Sequence, residues 1–117
     1  MQVDWTPLRA ALRAAERPVR FWWRDDDAIA PTPALDRLEG LAQDAQVPVH
    51  IAVIPAHATP ELADISTASE FLIPVIHGWA HADTSAPDAK KSEFQRDRPE
   101  AAEETAQALA RMRDLFG

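Results

Sequence analysis

The sequence predicts an α/β protein built from parallel strand–helix units, and three observations carry that expectation. Three apolar runs, Val19–Arg24, Val47–Ile54 and Phe71–Ile76, have the β-branched and aromatic character of strands. Their apolar character is nearly continuous, which suits strands covered on both faces, as in a parallel sheet. A Thr-Pro pair recurs at Thr6-Pro7, Thr32-Pro33 and Thr59-Pro60 and marks three helix starts. Threonine caps the free N–H groups of a first turn, and proline is tolerated at the first helical position. Strands alternating with helices imply βαβ units with right-handed crossovers.

The elements follow in order. Leu8, Ala11, Leu12 and Ala15 keep helical spacing after Thr6-Pro7, and Pro18 ends that helix. The strand Val19–Arg24 comes next, with Trp22 and Trp23 expected in the core because adjacent strand residues face opposite ways. Leu35, Leu38, Leu41 and Ala42 mark an amphipathic helix that runs on to Gln46. Val47–Ile54 is the second strand, stopped by Pro55, and a short helix after Thr59-Pro60 turns Leu62 and Ile65 inward. Phe71–Ile76 is the third strand. The polar stretch from Ala82 to Pro99 reads as loop, with one helical turn expected around Lys90 to Phe94. Pro99 opens a last helix whose apolar stripe is expected at Ala102, Ala106, Leu109, Met112 and Phe116, with Gly117 in the place of a C-cap.

A chain of 117 residues is one domain with room for a core. The formal charge of −7 argues against nucleic acid or an anionic membrane as partner. The absence of cysteine excludes disulfides and thiolate metal ligands. No apolar run reaches the length of a membrane span. Met1 to Trp5 lacks the basic start and apolar middle of a secretory signal, so a cytoplasmic location is the expectation.

Chemistry concentrates in two stretches. Asp25-Asp26-Asp27 follows the first apolar run, and His77-Gly78-Trp79-Ala80-His81 follows the third. Functional groups in parallel α/β sheets gather at the C-terminal strand ends, where both stretches fall. Two histidines four apart lie on one side of a helical turn and reach one metal ion. A carboxylate with two imidazoles suits zinc or a similar first-row ion with open coordination positions. Such an ion lowers the pKa of a bound water to about 7 and polarises a carbonyl. A neighbouring carboxylate is placed to take the water's proton. His50, within a strand, and His57, after one, read as structural, and Lys90-Lys91 as a solvated pair.

On these residues the chain resembles the N-terminal half of the polysaccharide deacetylase superfamily, carbohydrate esterase family 4. Trp23-Arg24-Asp25-Asp26-Asp27-Ala28 stands for the family's Thr-Phe-Asp-Asp motif after its first barrel strand, and His77 to His81 for its His-x-x-x-His motif after the third. Thr32-Pro33 with Leu35 and Leu38 matches the family's first helix, and Ile51 to Pro55 its second strand. The resemblance implies half of a distorted (β/α) barrel of the glycoside hydrolase/deacetylase type. It implies hydrolysis of N- or O-acetyl groups on a carbohydrate, and one divalent metal: zinc first, with cobalt, nickel or iron as alternatives. In the family the first aspartate is the general base and the second binds the metal with both histidines. Taking Ala28 for the family's glycine after the pair makes Asp26 the base and Asp27 the ligand, alongside His77 and His81. The other register makes Asp25 the base and Asp26 the ligand; the first is preferred. Gly78 stands where the family usually has serine or threonine.

The family's later motifs, an arginine-bearing proline-rich strand, a tryptophan wall and a general-acid histidine, have no counterpart after Phe94. The expectation is a single domain over residues 1–117, truncated after its third βα unit, with a homo-oligomer closing the half-barrel and weak or no activity at this length. Two other readings stand beside this one. Asp25-x-Asp27 after an apolar strand resembles the haloacid-dehalogenase-type phosphatase pattern, although it leaves both histidines without a role. A non-catalytic metal-binding or assembly remnant is the third.

Overall fold

The computed structural model describes residues 1–117, and seven elements follow along them: α1 (Thr6–Ala14), β1 (Arg24–Ala28), α2 (Pro33–Ala45), β2 (Val49–Val53), α3 (Pro60–Ala68), β3 (Leu72–Ile76) and α4 (Ala101–Phe116). The three strands form one open parallel sheet in the order β1-β2-β3. The α/β architecture of alternating strands and helices is present as the sequence implies.

β2 is central and its apolar run is buried from both sides. Val49, Ile51, Ala52 and Val53 have no exposed surface, and Leu35 and Ala42 of α2, Leu62 of α3, Leu72 of β3 and Met112 of α4 close around them. Each such aliphatic side chain contributes about 1.5–3 kcal/mol by leaving water. Thr32 and Thr59 cap as expected: their Oγ1 atoms accept the N–H groups of Leu35 at 3.0 Å and Leu62 at 3.3 Å. α2 ends at Gln46, which takes a left-handed conformation with φ 54°. α1 is capped differently, because the Asp4 carboxylate accepts the Thr6 N–H at 2.9 Å and Trp5 occupies the cap position. None of the residues of α1 is buried.

The first strand lies further along the chain than Val19–Arg24. Pairing begins at Trp23, whose carbonyl accepts the His50 N–H at 2.9 Å, and β1 proper starts at Arg24 opposite His50. Residues before Trp23 would have to pair with Pro48, which has no N–H, and with Val47, whose N–H is already bonded to the Ala42 carbonyl. Val19, Phe21 and Trp22 therefore stay exposed, while Trp23 packs against the core, so only one of the two tryptophans is where it was expected.

Two helix faces also differ. In α2, Leu35 and Ala42 are buried but Leu41 is half exposed. In α4 the inward face is Glu104, Ala108, Arg111, Met112, Leu115 and Phe116, so Met112 and Phe116 of the expected stripe pack inward while Ala102, Ala106 and Leu109 look outward. Two polar contacts lie on its inward side. Glu104 pairs with Arg98, and Arg111 donates to the Ala58 carbonyl at 3.1 Å. No helical turn forms at Lys90 to Phe94.

Candidate metal centre

The three aspartates lie inside β1 and are separated by a defect in its pairing. Asp25 sits opposite Ile51 and Ala28 opposite Val53, so β1 takes one residue more than β2 over this stretch. That extra residue is a β-bulge, a device that re-aims a side chain. Asp27 adopts φ 68° there, in the left-handed region that aspartate tolerates better than most residues. Simple alternation would put Asp25 and Asp27 on one face. With the bulge, Asp27 turns to the histidines and Asp26 to Arg24.

The strands that carry Asp27 and lead into His77 flank β2, so their backbones are about 10 Å apart, two strand spacings. β3 pairing continues one step past the strand, with the His77 N–H donating to the Val53 carbonyl at 2.8 Å. From these two positions the side chains reach across the end of β2. Asp27 Oδ1 lies 3.1 Å from His77 Nε2 and 3.4 Å from His81 Nε2. All three donor atoms fall within 4.8 Å of one another. Ligands placed tetrahedrally about 2.1 Å from a zinc ion stand about 3.4 Å from each other, so the carboxylate–imidazole separations fit such a set.

The two histidines do not share a helical turn. Gly78 and His81 both take left-handed conformations, with φ 63° and 56°, and the segment is a loop. Its backbone N–H groups converge on one carboxylate. Glu93 accepts from Trp79 at 3.1 Å, Ala80 at 2.7 Å and His81 at 3.2 Å. Successive amides gathered on an anion form a nest. φ 63° at residue 78 favours glycine, and a side chain there would also push aside the Glu93 carboxylate, the far end of a flexible side chain. That is the physical reason for glycine where the resemblance leads one to expect serine or threonine.

Glu93 is held in turn by its own loop. Thr84 Oγ1 donates to the Glu93 carbonyl at 2.6 Å. Asp83 Oδ1 accepts from Ser85 Oγ at 2.6 Å, Ser85 N–H at 3.1 Å and Ser92 N–H at 3.2 Å. These bonds, the Ser85 hydroxyl first, hold the Asp83 carboxyl below the usual aspartate range. Folded back in this way, the loop walls a cleft of about 540 Å³ in which His77 and His81 face Lys91, Ser92 and Phe94.

Of the residues singled out from the sequence, the structure brings Asp27, His77 and His81 together and leaves Asp26 beside them, with Arg24 Nε 2.6 Å from its Oδ1. His57 is exposed, and His50 is half-buried with its ring edge-on to Trp22. Trp79 is half-buried, and its carbonyl accepts the Ala56 N–H at 2.9 Å. Sequence reasoning missed Glu93 and Arg24. Glu93 carries no motif of its own, and its partners are main-chain amides, which no residue pattern records. Arg24 reads as an interruption of an apolar run.

Fold and geometry together define an α/β protein with a candidate Asp/His/His metal centre at the C-terminal end of a parallel sheet. No family model, no curated protein and no solved structure matches the chain. No helix is long and apolar enough to cross a membrane.

Proposed function

We propose that this chain is a metal-dependent hydrolase that removes acetyl groups from a carbohydrate, with Asp27, His77 and His81 holding one divalent cation, zinc foremost. The observation that carries the reading is the convergence of these three donors, from opposite edges of the sheet, within 4.8 Å. A divalent cation bound there supplies Lewis acidity toward an acyl carbonyl and the attacking water. Asp26, next to the ligand Asp27 and outside the donor set, is the general base of this reading. The cleft beside His77 and His81 has the volume for a sugar ring and its acyl group. The motif resemblance at residues 23–28 and 77–81 supports acetyl transfer to water over other hydrolytic chemistry. The phosphatase reading built on Asp25 and Asp27 gives neither histidine a role, whereas both imidazoles face Asp27.

Equilibrium dialysis against zinc is the direct test. Wild-type protein is expected to take up one zinc per chain, and His77→Ala and His81→Ala to take up none. Asp26→Asn is expected to keep the metal and lose acetyl-ester hydrolysis. Zinc content near wild type in either histidine variant overturns the ligand set, and acetyl-ester hydrolysis unchanged in Asp26→Asn overturns the assigned base.

A further inference from the structure

The N-terminal arm, residues 1–22, carries an apolar surface that nothing in the chain covers. None of the residues of α1 is buried. Trp5, Leu8 and Leu12 fall on one side of it at helical spacing, each exposed, with Arg9 and Arg13 along the adjoining side. Every hydrogen bond made by residues 1–21 stays among them. The radius of gyration is 17.6 Å, against roughly 13 Å for a compact chain of this length, as it is when a segment stands off the body.

A second uncovered face lies on α4, where Ala102, Ala106 and Leu109 look outward. Glu100 at the N-cap and Glu103 in the first turn, both exposed, lie along one rim of that stripe. Arg113 lies past its end. The two faces match. Each spans seven helical steps, about 10 Å. Two arginines four apart edge one, and two carboxylates three apart edge the other. Charge divides the same way along the chain. Arg9, Arg13, Arg17 and Arg20 against Asp4 and Glu16 give residues 1–23 a formal charge of +2, so residues 24–117 carry −9 of the total of −7.

We propose that α1 docks on α4 of a second copy of this chain, in a reciprocal dimer that exchanges N-terminal arms. Leu8 and Leu12 lie over Ala102 and Ala106, whose small side chains let the helices approach, and Arg9 and Arg13 meet Glu100 and Glu103. A two-fold axis uses this contact twice and leaves neither arm uncovered. The opposite charges of arm and body steer two copies together. The same −9 on the body repels an anionic membrane or nucleic acid that the arm's arginines would otherwise attract.

Sedimentation equilibrium of the full chain tests this. Wild type is expected to be dimeric at tens of micromolar. Leu8→Ala with Leu12→Ala keeps the helix and its charge, touches no buried residue, and is expected to weaken the dimer at least about tenfold. Arg9→Glu with Arg13→Glu, and separately Glu103→Lys with Gln107→Lys, set like charges against each other, and each is expected to weaken it by about tenfold or more. An equimolar mixture of these two charge variants pairs opposite charges at both contacts and is expected to recover a mixed dimer. A monomeric wild type overturns the proposal, including one whose arm folds onto its own α4 or binds phosphatidylserine vesicles. Association unchanged in the leucine variant overturns it too and assigns self-association to the open strand edges. A mixture of the charge variants that associates no better than either alone overturns the pairing of α1 with α4.

Discussion

Replacing Glu93 by glutamine tests whether a single carboxylate holds the loop that carries both histidines. In the native protein Oε2 accepts from Trp79 N–H at 3.1 Å and His81 N–H at 3.2 Å, and Oε1 accepts from Ala80 N–H at 2.7 Å. Glutamine keeps one oxygen. Turned to serve Trp79 and His81, it presents its NH2 to the Ala80 N–H, so the shortest bond becomes donor against donor. The other two lose the charge on their acceptor. Hydrogen bonds to charged groups contribute about 1.5–3 kcal/mol and neutral ones about 1 kcal/mol. One bond lost and two weakened amount to about 3 kcal/mol, which the half-exposed position reduces to about 2 kcal/mol. That is about thirtyfold in the opening equilibrium of the loop. Amide hydrogen exchange reads such local opening. The Trp79, Ala80 and His81 amides are expected to exchange about thirty times faster in Glu93→Gln. The amides of the fully buried Ile51 and Val53 should be unaffected. Gly78→Ala attacks the same contact from the other side, through φ 63° and a collision with the Glu93 carboxylate, and should open the loop at least as far. Unchanged exchange at residues 79–81 in Glu93→Gln would show that the loop is held by its own backbone conformation and refute the reasoning.

Two further predictions concern acid and association. The Asp83 carboxyl is held below its ordinary value by Ser85 and Ser92, and that of Glu104 by Arg98. Depressed carboxyl pKa values contribute stability that is fully present above the ordinary carboxylate range and is lost as pH falls through the lowered values. Loop amide protection should therefore hold at pH 5 and fall away only in more acid solution, and Asp83→Asn should flatten that dependence; loss already between pH 7 and 5 would assign it to other groups. The open sheet leaves the outer edges of β1 and β3 unpaired, with Ile73 and Ile76 37% and 45% exposed, and such edges favour association. Sedimentation equilibrium at tens of micromolar is expected to show self-association, and a well-folded monomer would refute it.

What the sequence showed of the fold was what side-chain periodicity and chain punctuation control. Val49–Val53 and Leu72–Ile76 fall inside their expected runs, and Thr32 and Thr59 cap the helices they were expected to cap. The first strand was misplaced because Val19–Arg24 has strand composition but no partner: Pro48 and the Val47–Ala42 bond end the pairing edge of β2 at that point. Composition cannot report register. The α4 stripe was right at Met112 and Phe116 but not at Ala102, Ala106 and Leu109, whose place on the inward side is taken by Glu104, paired with Arg98, and by Arg111, which donates to the Ala58 carbonyl 53 residues away. At the site, Asp27, His77 and His81 were legible from residue type and strand-end position. Their means of support were not, since the bulge at Asp27 and the amide nest on Glu93 are properties of the backbone.

The charges around the candidate site bear on the proposed cation. Asp25, Asp26 and Asp27 bring three negative charges into consecutive positions of one strand. Like charges this close raise the free energy of the folded chain unless something offsets them. Arg24 supplies one positive charge and spends it on Asp26. Three carboxylates against one guanidinium leave a local charge of −2. Solvent screens part of it, since Asp26 and Asp27 are about half exposed. A monovalent counter-ion offsets half of the remainder and has no use for two imidazoles. On the proposed reading, a divalent first-row cation matches both the charge and the mixed oxygen–nitrogen donor set.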